Sequence, residues 1–367
     1  MITPHIAHLA VALEDFGLKV FYIAEETMAA ERKDFGWAVP NLRHVCLRIV
    51  ENKADVREVV ANAEENSIHI CQGLRSNGLI YHAQHLLKNR GLRQWVIMET
   101  VNDRGWVGFL KRFEYYRLFK SRSESIDGVL AIGRGVDRWI ESRGVPLYKI
   151  FQFAYFLENS PIIAHSAGLD NERKFRFIFV GRFDENKQLS MLIRALSSLQ
   201  SKQFELVVVG SGPLEVQLRN EAECNLPGQV LWIGRLRNDV VFEAIGNADC
   251  LVLPSLHDGW GAVVSEALMV GTPAICSDHC GASVLVLASR RGAVFKNSCI
   301  QELTKCLEIS LASGRITADE RSELAQWAAC LCAATGARYL YEILEHIYEG
   351  GIRPISPWSR KYENYTM

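Results

Sequence analysis

The sequence has 367 residues, 49% hydrophobic and 23% charged, which suits a globular protein of two domains of about 150 residues each. Its net charge is −1 with acids and bases interspersed, so no electrostatic argument points to nucleic acid as a partner. The sequence has no basic-then-apolar leader, no apolar run of roughly 18 residues and no Cys-x-x-Cys spacing among its ten cysteines, which together predict reduced thiols in a cytoplasmic protein without a spanning helix.

In the first half, apolar residues recur at helical spacing over 6–16 and 80–88. Strand-like runs fall at 20–24, 44–50, 68–71, 95–98, 129–132 and 150–155. The chain opens on Thr3-Pro4-His5 and enters a helix directly, whereas a doubly wound domain normally begins with a central strand. The expectation is that this strand lies upstream or has been lost.

Over 106–122, Trp106, Phe109, Leu110 and Phe113 share one helical face, while Lys111, Arg112, Arg117, Lys120 and Arg122 add positive charge. Two readings fit this pattern: a peripheral membrane contact at the inner face, or a core helix with a solvated basic side. Residues 158–174, with Pro161 and Gly168, read as a linker.

The second half alternates more cleanly. Strands are predicted at 175–180, 204–209, 230–233, 250–253 and 273–276, with helical segments from 189, from about 213, and at 240–245 and 263–270. Continuous apolar strands between amphipathic helices indicate a parallel sheet covered on both faces. Such α/β domains bind ligands beyond the carboxyl ends of their strands. The tail 323–349 is helical in pattern. The predicted division is 1–157, a linker at 158–174, 175–325, and a tail 326–367 that packs back on the first domain.

Chemistry-bearing residues concentrate at the predicted strand ends of the second domain. Gly181 and Arg182 close the first strand and Lys187 follows before the helix, a pair of cations suited to phosphate oxygens. Gly210-Ser211-Gly212-Pro213 ends the next strand, but Glu215 stands where a dinucleotide fingerprint needs glycine. The strongest segment runs from Pro254 to Leu268. A strand breaks at Pro254, a loop carries Asp258, Gly259, Trp260 and Gly261, and a helix opens at Ala262 and Val263 with Glu266 inside it. First-turn amides make an anion site, and two carboxylates at different depths can accept from two sets of hydroxyls. Gly281-Ala282-Ser283 offers a second phosphate-meeting turn.

Taken in order, Val-Gly-Arg with Lys187, Gly-Ser-Gly-Pro, Trp232-Ile233-Gly234, Ala248-Asp249, Pro254-Ser255, the acid-x7-acid pair Asp258 and Glu266, Gly271-Thr272-Pro273 and Gly292-Ala293-Val294-Phe295 resemble the donor domain of the retaining GT-B glycosyltransferases, glycosyl transferases group 1. The likeness covers roughly a third of the chain, from Phe177 to about Phe295, and resides in the ordered set rather than in any one piece.

The resemblance implies an α/β fold of two doubly wound Rossmann-like domains facing across a cleft. It also implies transfer of a hexose-type sugar from a nucleoside diphosphate to a saccharide or lipid-linked saccharide, in surface polysaccharide or lipopolysaccharide assembly. By the same resemblance Arg182 and Lys187 bind the donor diphosphate, Asp258 faces the sugar hydroxyls and Glu266 the ribose. Gly259, Trp260, Gly261, Ala262 and Val263 present amides, with Gly181 and Gly281 close to the phosphates. The turn Gly234, Arg235, Leu236 lies near the base, and Glu99 is the acceptor-side candidate. The family's first acid is usually Glu; Asp258 is one methylene shorter. No Asp-x-Asp occurs, so neither a metal nor another cofactor is expected. The rival readings are a sugar-nucleotide epimerase or phosphorylase on the same fold, a sugar-nucleotide-binding pseudoenzyme, and an NAD-dependent oxidoreductase.

Overall fold

The computed structural model describes residues 2–27, 39–75, 77–103, 105–158 and 173–360. The chain divides into two compact units. The first takes the chain to Phe156 and adds Ala333–Ser356 from near its end; the second takes Leu157–Cys332 and the residues from Pro357. The linker expected at 158–174 lies almost wholly outside the described residues.

The first unit opens on helix α1 (Pro4–Asp15), with an extended Thr3 before it and proline at its first turn, where the missing N–H is not needed. Strand β1 (Phe21–Ala24) pairs in parallel with β2 (Cys46–Ile49) as a separate two-stranded sheet. Helix α2 (Lys53–Ala61), not among the predicted elements, follows, begun by a reciprocal Asn52–Asp55 capping box. Then β3 (Ile68–Gln72), α3 (Leu79–Asn89), β4 (Arg93–Glu99), α4 (Gly105–Arg122), β5 (Gly128–Ile132), α5 (Val136–Glu141) and β6 (Ile150–Phe153) alternate. The sheet order is β3-β4-β5-β6, all parallel.

Every residue of β5 is buried, as a central parallel strand requires. Val96, Met98, Val129 and Ala131 form a core with Tyr115 and Phe119 of α4. Only Gly108, Tyr115 and Phe119 of α4 are buried, and Trp106, Val107, Phe109, Leu110 and Phe113 face solvent. The reading of that apolar face as a core face is therefore overturned.

Near the chain's end, α13 (Ala333–Glu349) joins this unit. Tyr339 donates to the Gln152 carbonyl at 2.9 Å, and Tyr348 accepts from Trp95 Nε1 at 2.9 Å while donating to Asp127 at 2.7 Å. Gly336 is required where the helix crosses Phe156, because an added Cβ would sit 2.3 Å from that ring.

The second unit holds β7 (Phe175–Val180), α6 (Leu189–Ser197), β8 (Phe204–Val209), α7 (Glu215–Asn225), β9 (Val230–Gly234), α8 (Asn238–Gly246), β10 (Cys250–Leu253), α9 (Ala262–Met269), β11 (Ala274–Ser277), α10 (Ser283–Ser289), β12 (Gly292–Phe295), α11 (Ile300–Ala312) and α12 (Ala318–Ala328). Its six parallel strands run β12-β11-β10-β7-β8-β9. Successive strands step away on one side of β7 and, from β10 on, on the other, so β7 and β10 flank the topological switch point. Phe177, Phe179, Phe204, Leu192, Leu196 and Leu206 are buried together at its centre.

The tail read as one helical pattern over 323–349 is α12 and α13, separated by a tight turn at Ala329–Leu331. The break frees the Leu331 carbonyl to accept the Leu157 N–H at 3.0 Å. The division drawn at 325 falls within α12, which Arg321 holds on the second unit by donating to Thr272 Oγ1 at 2.6 Å and the Ala248 carbonyl at 2.8 Å. The Ala248-Asp249 motif is structural: Asp249 accepts both arms of Arg173 at 2.6 and 2.9 Å and the Arg176 N–H at 2.8 Å.

Candidate functional site

The carboxyl ends of β7, β8, β9, β10 and β11 carry loops that are stitched to one another. Phe183, just after β7, is buried; its N–H donates to the Ser211 carbonyl at 2.9 Å, and its carbonyl accepts from Leu214 at 3.1 Å. This contact explains the glycine pair that looked like an ordinary turn. A Cβ on Gly210 would lie 1.9 Å from the Gly181 carbonyl oxygen, and one on Gly212 would lie 2.5 Å from the Phe183 carbonyl oxygen. The β9 turn joins the same row through Arg235 Nε, which donates to Ser211 Oγ, and through Gly210 N–H to the Gly234 carbonyl at 2.8 Å.

Across the switch point the β7 and β10 loops are bound directly. Lys187 Nζ lies 2.5 Å from Asp258 Oδ2, with only 24% and 16% of the two side chains exposed. Asp184 Oδ1 accepts the Lys187 N–H at 3.0 Å and shapes the turn that delivers it. Asn186 braces the pair from beside it: its side chain donates to the His257 carbonyl at 2.9 Å and accepts the His257 N–H at 3.2 Å. Asn297 supports the loop from β12, donating to the Leu256 carbonyl at 2.8 Å. Neither asparagine was singled out in the sequence. The available signal for Asn186 was its place beside Lys187.

The β10 loop is also laced to the one after β11. Asp258 N–H donates to the His279 carbonyl at 3.1 Å, its carbonyl accepts Gly281 N–H at 3.0 Å, and Ala282 N–H donates to the Trp260 carbonyl at 2.6 Å. A Cβ on Gly281 would meet the Gly259 carbonyl oxygen at 2.1 Å, so only glycine permits this approach. Gly261 has φ +85° and turns the chain into α9, whose first residues are Ala262 and Val263. The Trp260 side chain is buried and donates to Ser265 Oγ at 3.0 Å, so it anchors the loop from inside.

Glu266 lies on α9, one turn beyond those first amides. It is half-buried, and no donor among the described residues reaches its carboxyl. Desolvation pushes it up to about 7 from 4.5. Arg182, by contrast, remains 53% exposed, with Asp184 at 3.8 Å its nearest carboxylate. The sequence candidates are thus arranged unequally. Lys187 and Asp258 are in contact, and Gly259, Trp260, Gly261 and Gly281 shape one double loop with Asp258. Gly181, Gly234, Arg235 and Leu236 lie along the same edge toward β9.

Glu99 belongs to the first unit. It ends β4, accepts a hydrogen bond from Tyr155, and Tyr155 is stacked on His5 at 5.0 Å. Among the described residues no group of three or more His, Cys, Asp or Glu is placed to hold a metal ion.

The profile of Glycosyl transferases group 1 matches residues 163–326, the stretch that carries this edge. The chain carries a glycosyl transferases group 1 domain. Relatives of that domain include an uncharacterized glycosyltransferase of Methanocaldococcus jannaschii, 31% identical over 30% of this chain and 29% of its own length. Another is the putative glycosyltransferase EpsF of Bacillus subtilis, 35% identical over 27% and 26%. A third is the amylovoran biosynthesis glycosyltransferase AmsK of Erwinia amylovora, 31% identical over 30% of each. The matches thus span less than a third of these relatives' lengths.

Among solved structures, HepE of Anabaena in complex with UDP superposes with a TM-score of 0.71 at 15% identity, over 94% of this chain and 96% of that one. The lipopolysaccharide outer core galactosyltransferase WaaB superposes with a TM-score of 0.67 at 15% identity, over 89% and 99%. At that identity the likeness concerns the fold, which is the GT-B fold of two Rossmann-like units. The group 1 domain accounts for the second unit and its loop-laced edge.

Proposed function

We propose that this chain is a glycosyltransferase that moves a sugar from a nucleoside diphosphate to a hydroxyl of a saccharide or lipid-linked saccharide, with retention at the anomeric carbon, in surface polysaccharide assembly. The observation that carries this reading is the Lys187–Asp258 pair across the switch point, on the loop that leads to a desolvated Glu266 with no donor among the described residues. One nucleotide sugar supplies what these groups lack. Its ribose hydroxyls donate to Glu266, its sugar hydroxyls donate to Asp258, and its diphosphate meets the cations and the α9 amides. Lys187 has three donors, so it can hold Asp258 and a phosphate oxygen together.

In the reaction the bond from the anomeric carbon to the diphosphate oxygen breaks and the bond to the acceptor oxygen forms. The acceptor proton passes to the departing phosphate. Charge grows on that phosphate as the bond breaks, so Lys187, Arg182 and the Ala262 and Val263 amides favour the transition state over the ground state. No step in this scheme calls for a metal. Similar proteins support the class of substrate: HepE was solved with UDP-glucose, and AmsK is named for amylovoran biosynthesis.

The test is a thermal-shift panel of UDP-, GDP-, ADP- and dTDP-sugars, followed by product analysis with the labelled stabilising donor and saccharide acceptors. Stabilisation by one donor with transfer of label and retained configuration is the expected result. Binding without transfer or hydrolysis would leave a pseudoenzyme, and no stabilisation by any donor would remove the proposal.

A further inference from the structure

The exposed face of α4 answers to nothing in the donor site. Trp106 is 88% exposed, Leu110 66%, Val107 65%, Phe113 57% and Phe109 56%. Scattered exposed apolar residues are ordinary, but five within eight positions of one helix form a contiguous patch, which in a water-soluble surface marks a docking site. The helical period puts Trp106, Phe109, Leu110 and Phe113 on one side, and Arg117 and Lys120 continue that side toward the C-terminus.

The charge on this helix is strongly positive. Gly105–Arg122 carries five cations against one carboxylate, in a chain whose net charge is −1. That carboxylate, Glu114, is taken by Arg75. Lys111 and Arg112 turn to the backbone carbonyls of Asn102 and Asp103, and Arg122 to Gln84. Arg117 and Lys120 have no carboxylate partner among the described residues and remain exposed. Beside the apolar patch, Phe109, Arg112, Phe113, Tyr116, Ser142 and Arg143 line a shallow groove of about 300 Å³.

We infer that this face docks the protein on an anionic lipid bilayer. Apolar side chains would seat at the acyl boundary, with Arg117 and Lys120 at the headgroup phosphates. A second protein of ordinary surface would cover the aromatic patch but supply no field of negative charge for these two exposed cations. An anionic leaflet supplies both. No described helix is long and apolar enough to span a membrane, so the contact is peripheral. This inference does not rest on the transferase reading.

The test is flotation of the full chain with vesicles of phosphatidylcholine alone and with 30% phosphatidylglycerol (roughly the anionic fraction that produces a strong surface potential). Binding to the anionic vesicles only, weakened by salt, is expected. Replacing both cations (R117Q/K120Q) should weaken it about 30-fold, since each cation near an anionic surface contributes about fivefold. W106S/F113S should lose binding while unfolding at the wild-type temperature, because both side chains are already in water. A blue shift of tryptophan emission on vesicle addition, absent in W106F, would place that ring at the interface. Equal flotation with neutral vesicles would overturn the inference. So would unchanged flotation of R117Q/K120Q, or self-association that W106S/F113S abolishes without vesicle binding by the wild type. Donor-induced thermal shifts, measured in parallel without lipid, report on the transferase reading separately.

Discussion

Replacing Glu266 by glutamine offers a sharp test of the site's electrostatics. Burial holds the Glu266 proton to about pH 7, whereas an exposed glutamate releases it near 4.5. Between these values the folded chain binds a proton that the unfolded chain has lost, so stability falls as pH climbs from about 4.5 to about 7 and stays low above. The difference in pKa corresponds to about 3 kcal/mol of destabilisation at pH 8 and almost none below pH 4.5. Glutamine keeps the shape and cannot ionise. E266Q should therefore unfold at a higher temperature than wild type at pH 8, by roughly 6–12 °C at 2–4 °C per kcal/mol for a unit of this size, and at nearly the wild-type temperature at pH 4.5. Differential scanning calorimetry of both proteins across pH 4.5–8 reads the effect directly. A Tm gap that does not change with pH would refute the reasoning. Donor hydroxyls that supply the missing hydrogen bonds would return the group to its charged form, so nucleotide-sugar affinity should rise toward pH 7 with proton uptake by the buffer.

The remaining tests address the loops and the leaving group. Lys187→Ala should lower turnover by about 10²–10³ fold, the usual effect of removing one pre-placed transition-state donor, with nucleoside diphosphate release as the readout. Its melting temperature should move by only a few degrees, because the pair with Asp258 is partly hydrated. Gly281→Ala would put a methyl 2.1 Å from the Gly259 carbonyl oxygen, and we expect a loss of about 2 kcal/mol or more in urea unfolding together with weaker donor binding. Excess EDTA should leave transfer rates within twofold, since cations and amides carry the diphosphate in the proposed reaction. A rate restored only by added divalent ion would contradict that scheme.

The second unit was legible in the sequence because its inner strands are buried on both faces and read as unbroken apolar runs; β10 and β11 are buried at every position. Helix α2 was less visible, since only Val56 and Val60 face inward and its identity depends on the Asn52–Asp55 cap. The split between α12 and α13 could not be read either, because the partner of the freed Leu331 carbonyl, Leu157, is far away in sequence. The acid pair stood out through residue type and spacing. The Asn186 brace did not, as a loop asparagine has no pattern until its partners are placed. Periodicity could group Trp106 with Phe113 on α4 but not decide whether anything covers them. Only the placement of Tyr115 and Phe119 in the core settled which side looks out.

The return of α13 to the first unit also bears on biogenesis. Tyr339 and Tyr348, which fasten it to Gln152, Trp95 and Asp127, emerge from the ribosome some 180 residues or more after those partners. The intervening segment can mature while the earlier half waits, incomplete, for its closing piece. Loss of α13 would thus leave the unit translated first without the helix that closes it.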